Sequence, residues 1–282
     1  MLPTYAVCKA TRERVTVALS GDGGDELFTG YRHHLFADRV SRLDRVPTFL
    51  TRAVFGALAR HTPADSRARD WSERLAFDPD WRRFSILRLP GRERRLGVLA
   101  PAWRQRRDER LALIDPVVRS CAGVPPVTQS QLFDMEFYLP NDMLVKVDRA
   151  SMAHALEVRV PFLSRTVADL ALRIPEGVRF TPGREKRVLR TLVERRFGPE
   201  LAWRTKKGFG VPIQAWMRAA ATIDRERTLL DAEPVRQGIL DAGAVSALFA
   251  SVRGPGDRWH VDRADELFGL FCFDAWWRRH AA

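Results

Sequence analysis

The most restrictive feature of this chain is a five-residue run, Val15-Thr16-Val17-Ala18-Leu19, followed at once by Ser20-Gly21-Asp22-Gly23-Gly24-Asp25-Glu26. The run is β-branched and apolar on both faces, the pattern of a strand buried inside a parallel sheet. The glycines behind it end the strand and free the backbone to approach a ligand closely. Leu27, Phe28, Tyr31, Leu35 and Phe36 then recur at helical spacing. The three pieces predict strand, glycine-rich loop, helix, which is one unit of an α/β fold. A lone parallel strand leaves N–H and C=O groups without partners on both edges, and no second strand is evident downstream. The expectation is that the rest of the sheet lies outside these 282 residues and that the chain is the C-terminal part of a larger protein.

The remainder reads as mostly helical. Residues 37–131 predict helical pieces broken by linkers at 60–66, 89–92 and 122–126, with a densely charged, solvated stretch over 92–110 and no catalytic signal. Residues 132–157 predict two helices around Leu139-Pro140-Asn141-Asp142, with Asn141 or Asp142 as N-cap and Met143, Leu144, Val147 and Met152 inward. A further helix is expected over 185–197, with Val188, Leu189, Leu192 and Val193 inward and Gly198 as its stop. Residues 267–277 predict an aromatic-rich amphipathic helix ending near Trp276-Trp277, which read as core or interface.

A formal charge of +12 suggests a nucleic-acid binder at first sight. Only five of the 47 cations are lysines, the arginines are spread over the whole length, and no nucleic-acid-binding motif accompanies them, so that class is set aside. No apolar run reaches 18 residues, so no membrane-spanning helix is expected. Cys8, Cys121 and Cys272 are too few and too scattered for a disulfide framework or a zinc site, and Cys8 reads as a buried helix residue. The expected compartment is the cytoplasm. His33-His34 read as one exposed helix turn with no third ligand at metal spacing. Asp148-Arg149 and Glu157-Arg159 read as structural ion pairs or caps.

The loop carries the chemistry. A glycine-rich turn between strand and helix presents backbone N–H groups to an anion, and Asp25 is placed to hold a divalent cation bridging phosphate oxygens. It is not a Walker loop, because no Lys-Ser or Lys-Thr follows, and Glu26 stands where the dinucleotide fingerprint requires glycine. By itself the loop leaves a phosphate site and a plain tight turn equally open.

Four motifs in order raise the phosphate reading. Ser-Gly-Asp-Gly-Gly-Asp-Glu-Leu-Phe-x-Gly-Tyr (20–31) closely resembles the second signature of the asparagine synthetase family. Tyr138-Leu139-Pro140 through Asp148-Arg149-Ala150-Ser151-Met152-Ala153 and on to Leu163 resembles its long helical motif. Lys186-x-x-Leu189-Arg190 is similar to its lysine motif, and Lys206-Lys207-Gly208-Phe209-Gly210-Val211-Pro212 to its late loop. The resemblance implies the last part of a parallel-sheet ATP-pyrophosphatase domain (1–36 strand–loop–helix, 37–131 helical variable region, 132–282 helical C-terminal portion). The family uses MgATP to convert aspartate to β-aspartyl-AMP and pyrophosphate, and ammonia from a glutaminase domain then displaces AMP.

Residue by residue, the resemblance implies that Ser20 and Gly21, with Gly23 and Gly24, contact ATP or pyrophosphate. It makes Asp22 the acidic position tied to forming the adenylate, where many relatives have Glu. Asp25 becomes the magnesium-associated aspartate, and Lys186 the lysine facing the pyrophosphate and the reacting centre. An ammonium and Mg²⁺ suit that task, since adenylation develops negative charge on the α-phosphate and the departing pyrophosphate. The expected partners are aspartate, ATP, ammonia and a glutaminase domain in cis or trans, with a homodimer left open. The chain departs from the family in three places. Leu2 stands where the glutaminase nucleophile would follow Met1, the first nucleotide signature is missing, and Ser164 replaces the usual Asp after Pro161-Phe162-Leu163. Two rivals remain: a relative adenylating another carboxylate, as lasso-peptide cyclases and β-lactam-forming synthetases do, and a non-catalytic partner of a separate N-terminal chain.

Overall fold

The computed structural model describes residues 1–63, 66–84, 97–104, 107–205, 210–254 and 260–280. The expected linker at 89–92, part of the charged stretch at 92–110 and Lys206-Lys207-Gly208-Phe209 of the late loop lie outside them. The chain forms two compact units. The first comprises Met1–Arg52, Leu75–Leu87 and Asp115–Val211; the second comprises Ala53–Arg74, Arg88–Ile114 and Pro212–Ala282. The fold is mostly helical, with a small parallel sheet.

In the first unit, helix α1 (Leu2–Arg12) leads to strand β1 (Val17–Leu19). A partner strand does exist downstream, which corrects the expectation of none: β2 (Glu157–Arg159) pairs with β1 in parallel, Val17 against Glu157 and Leu19 against Arg159. Bonds from the Glu157 amide to the Thr16 carbonyl (2.9 Å) and from the Ser20 amide to the Arg159 carbonyl (2.8 Å) extend the ladder at both ends. β2 escapes a hydrophobicity reading because its sequence, Glu-Val-Arg, has one apolar residue, and that one is only half-buried. Val158 and Ala18 pack on one face against Cys8, Ala150 and Leu156. The other face does not match the expected burial, since Val17 is 39% and Leu19 74% exposed. Cys8 is buried as expected, and burial raises its thiol pKa.

The helix expected after the glycine loop is two helices. α2 (Gly24–Leu27) is four residues long, and α3 (Arg32–Ser41) starts afresh from Tyr31. Thr29 breaks the run with a left-handed backbone at φ 55°, and its buried hydroxyl donates to the carbonyls of Phe28 and Arg179.

The two helices expected around Pro140 are one continuous run over 126–152, with no N-cap at Asn141 or Asp142. Its middle, Asp134–Leu144, is π-helical. Proline has no N–H to close an α-turn, and the wider π-turn passes it without a break. Asn141 reverses its expected role: its Nδ2 donates to the Phe137 carbonyl (2.7 Å), inside the helix rather than at its start. The inward face there is Ala150 and Ser151, while Met152 is 61% exposed.

The helix Arg187–Phe197 begins at Lys186 and stops at Gly198, where φ is 87°. Val188 and Leu189 pack on Leu27, Phe28 and Ala171, whereas Leu192 points to solvent. Of the expected structural ion pairs, Arg159 Nε meets Glu157 Oε1 at 2.7 Å on an exposed surface, and Asp148 and Arg149 are both exposed.

The second unit has its own core: Met217, Leu229, Leu240, Val245, Leu248, Phe249, Val252, Ala264, Leu267 and Leu270. All but Leu240, which forms an antiparallel bridge with Leu99, come from the helices Ile213–Ala220, Ile223–Leu230, Ala242–Arg253 and His260–His280. Two starts carry side-chain caps, Thr222 accepting from the Arg225 amide and Asp241 from the Ala244 amide. The last helix includes the expected aromatic tail, and Trp276 is 51% exposed there. No described helix is long and apolar enough to cross a membrane.

Candidate active site

The glycine loop takes its shape from three contacts. Ser20 Oγ donates to Asp22 Oδ2 at 2.5 Å, turning the Asp22 side chain back over the end of β1. Gly23 is left-handed at φ 86°, and a Cβ there would lie 2.3 Å from Leu163 Cδ2, so both conformation and space require glycine. Gly24 lies beneath Phe162 with Lys186 Nζ close by, whereas a Cβ on Gly21 would meet nothing within 4 Å. The loop is therefore closed on the Phe162–Leu163 side and open at Gly21.

Asp25 and Lys186 meet here. Lys186 Nζ lies 3.1 Å from Asp25 Oδ1, with each side chain about a quarter exposed. Lys186 occupies the N-cap of its helix with a left-handed backbone at φ 56°, which costs a lysine of order 1 kcal/mol or more. Gly30 makes room for the pair: a Cβ on it would stand 1.9 Å from Asp25 Oδ1 and 2.5 Å from Lys186 Cε. The Gly30 amide also donates to the Asp25 carbonyl (2.8 Å). Arg190, from the same lysine motif, faces elsewhere, donating to the Ala202 carbonyl and covering the Trp203 ring.

Of the residues singled out in the sequence, the structure thus joins Ser20 to Asp22 and Asp25 to Lys186, with Gly23 and Gly24 as the floor. The donor chemistry fits a magnesium–phosphate group. Asp22, Asp25 and Ser20 offer hard oxygen atoms of the kind Mg²⁺ takes, and Lys186 offers a point charge suited to phosphate.

A second polar cluster lies behind the loop. Glu26 is 2% exposed. Tyr31 Oη donates to its Oε1 (2.6 Å) and Gln131 Nε2 to its carbonyl (2.8 Å). Burial pushes the Glu26 carboxyl above its usual range, against the bond from Tyr31. Burial and the neighbouring Glu26 push the Tyr31 phenol upward too. Tyr138, on the π segment, is pushed up to about 12 by burial and by Asp142.

The histidine pair belongs to this cluster, and its expected exposure is corrected. His34 is fully buried, and both His33 Nε2 (2.7 Å) and His34 Nε2 (2.8 Å) reach Asp134 Oδ2. The third group that sequence spacing did not reveal is Asp134, a hundred residues away; among the described residues these three gather donor atoms within 4.8 Å of one another. Burial by itself would raise the Asp134 carboxyl, but the bonds from the two imidazoles outweigh it and hold it low. At His34 burial wins instead and lowers the imidazole's pKa against the bond to Asp134. Sequence reasoning missed Glu26, Gly30, Tyr31 and Asp134 as parts of the site. Gly30-Tyr31 closes the glycine-loop motif and was the one local signal available.

The family model described as asparagine synthase matches residues 1–278. A putative glutamine-hydrolyzing asparagine synthetase of Mycobacterium bovis is 32% identical over 227 residues, covering 79% of this chain and 34% of that protein. The glutamine-hydrolyzing asparagine synthetase 1 of Bacillus subtilis is 28% identical over 227 residues, covering 77% of this chain and 34% of that protein. The chain thus spans about a third of the length of these relatives. No solved structure gives a significant match.

Proposed function

The chain belongs to the asparagine synthase family, and on that premise we propose that it supplies the pyrophosphate side of an ATP-dependent, amide-forming active site. The observation that carries the reading is the Asp25–Lys186 contact beside the glycine floor. It joins, from two distant motifs, a carboxylate of the kind that suits a cation and an ammonium that suits phosphate.

The proposed reaction has two steps. A carboxylate oxygen of the acceptor, aspartate first of all, attacks the α-phosphate of ATP and expels pyrophosphate, giving an acyl adenylate. Ammonia, from a glutaminase in the whole protein, then attacks the acyl carbon and expels AMP, giving the amide. Mg²⁺, when bound, neutralises phosphate charge as the α–β bridge breaks.

The chain's own residues do the rest. Gly21 leaves its side of the loop open, so that the main chain can approach phosphate oxygens. Asp25, with Asp22 nearby along the turn, supplies carboxylate oxygens for the cation. Lys186 Nζ moves from Asp25 to the departing pyrophosphate, where a charge placed in advance stabilises what develops in the transition state. Asp22 stays oriented by the Ser20 hydroxyl.

The exposed apolar strand β1, and relatives of whose length the matched part is about a third, support a sheet completed by sequence outside these residues, where the first nucleotide loop and the glutaminase would also lie. ATP–pyrophosphate exchange in the whole protein tests the proposal. Exchange that requires aspartate is the expected result, and Lys186→Ala abolishes it. Exchange that is silent with aspartate but driven by another carboxylate would move the chain to the cyclase- or β-lactam-synthetase-like branch. Near-normal exchange in Lys186→Ala would defeat the site assignment.

A further inference from the structure

The cluster behind the loop has no part in the chemistry just described, yet it bonds to Glu26 of α2, the element that carries Asp25. The protons can be assigned from His34. The Tyr31 amide donates to His34 Nδ1 (3.4 Å), so the ring's proton is on Nε2 and is donated to Asp134 Oδ2. His33 Nε2 donates to the same oxygen. Asp134 Oδ2 thus receives two N–H groups, the surroundings of an anion, while Oδ1 is buried without a hydrogen-bond partner. The imidazoles in turn fix Tyr31: His33 stacks on it with centroids 4.8 Å apart and planes at 20°, and Tyr138 meets it edge-on at 5.9 Å. Tyr31 Oη then holds Glu26, the residue after Asp25.

α2 needs such support. It has four residues and no side-chain cap at Gly23, so little of its geometry is fixed from within. The helical run 126–152 reaches it twice, at the Glu26 carbonyl through Gln131 and at the Glu26 carboxylate through Asp134, the histidines and Tyr31.

We propose that Asp134 is a positioning residue for Asp25, acting through His33, His34, Tyr31 and Glu26 without touching substrate. The inference rests on the function proposed above. It assigns His33 and His34 to fixing Tyr31 rather than to holding a metal, because a ligating histidine would donate from its other nitrogen, and His34 Nδ1 accepts.

The test uses the whole protein and the variants Asp134→Asn, Tyr31→Phe and the double variant. Asn keeps the shape and one acceptor oxygen, and Phe keeps the ring. Each single variant is expected to lower kcat for aspartate-dependent exchange about tenfold, with KM for ATP and aspartate within about twofold. The double variant should lose little beyond the worse single one, since both act through one chain of contacts. Unchanged kcat in both single variants, or losses that multiply in the double variant, would overturn the proposal. If Asp134→Asn does not fold, Tyr31→Phe carries the same criterion alone.

A second readout stands apart from activity. Amide hydrogen exchange over residues 24–30 should speed up at least tenfold in Asp134→Asn, while the helix Arg187–Phe197 keeps its protection. Unchanged exchange over 24–30 would refute the positioning role even if the wild-type protein turned out inactive with aspartate, which would count against the proposed function alone. Stoichiometric, tight uptake of Zn²⁺ by the wild type that Asp134→Asn abolishes would also overturn it, because the ion would displace both N–H donors.

Discussion

Gly30→Ala isolates the Asp25–Lys186 pair from everything else in the loop. Gly30 does not lie in the left-handed region, so alanine is no strain on the backbone and should by itself gain about 0.4–1 kcal/mol from a stiffer unfolded chain. The penalty is steric and local. The new carbon would stand 1.9 Å from Asp25 Oδ1 and 2.5 Å from Lys186 Cε, against ordinary contact beginning near 3.4 Å. The carboxylate must retreat by about 1.5 Å, and the lysine stem by about 0.9 Å. Opening a 3.1 Å pair by that distance removes about 2 kcal/mol of attraction at an effective dielectric of ~20, part of which solvent returns at a site this exposed. After the backbone gain the expected net destabilisation is about 1 kcal/mol. Activity should suffer far more, since ~1 Å of misplacement at reacting groups costs about 100-fold. Urea unfolding and ATP–pyrophosphate exchange, measured on the same preparation of the whole protein, check both halves. Exchange within threefold of wild type would refute the view that this contact organises the site. So would a stability loss above about 4 kcal/mol, which would mean that Gly30 serves the fold.

Gly23→Ala is the counterpart, combining left-handed backbone with a Cβ 2.3 Å from Leu163. It should cost about 2–4 kcal/mol, read as a lower urea midpoint. Acid should weaken the first unit in a defined window. His34 is held neutral by burial, with its folded pKa lowered, so the unfolded chain binds the extra proton and stability falls as pH drops below about 6.5. His34→Gln should flatten the thermal midpoint between pH 7 and pH 5; an unchanged slope would contradict the assignment. Asp134 has the opposite charge but the same sign of effect. Its folded pKa is depressed, so its contribution is present above about pH 4 and is lost below. Asp134→Asn should therefore make the loss of stability below about pH 4 shallower. In the second unit, Phe249 is fully buried, and Phe249→Ala should cost about 3–5 kcal/mol by calorimetry.

Local chemistry made some of this structure legible and hid the rest. Val17-Ala18-Leu19 could be read as a strand because its residues are apolar and continue the β-branched start Val15-Thr16. Its partner could not, because Glu157 and Arg159 flank the single inward Val158, and three residues give alternation too little length to register. Pro140 reads as a helix boundary under the usual rule, and no sequence pattern announces that a π segment will carry the chain past it. Met152 and Leu192 fell on the wrong side for a related reason. Helical spacing finds an apolar stripe, but not which apolar residues beside it remain in water. The histidines show the strongest limit. Their environment is set by one oxygen of Asp134, a contact that exists only after the run 126–152 has packed on α3.

The break after α2 also changes where the proposed site's attraction for phosphate would come from. A long helix behind the loop would have lent its N-terminal dipole to an anion. Thr29 stops that helix at four residues, too few peptide units to sum to a useful partial charge. A full positive charge must come instead from elsewhere, and Lys186 brings it from a helix of the lysine motif, seated in a left-handed backbone and admitted by the missing side chain of Gly30. Two glycines of the motif then act chiefly as clearances: Gly23 for Leu163 and Gly30 for the ion pair. It follows that phosphate affinity should respond to Lys186→Met far more than to any change in the residues of α2, with Asp25 the one exception, because there the partner of the lysine would itself be lost.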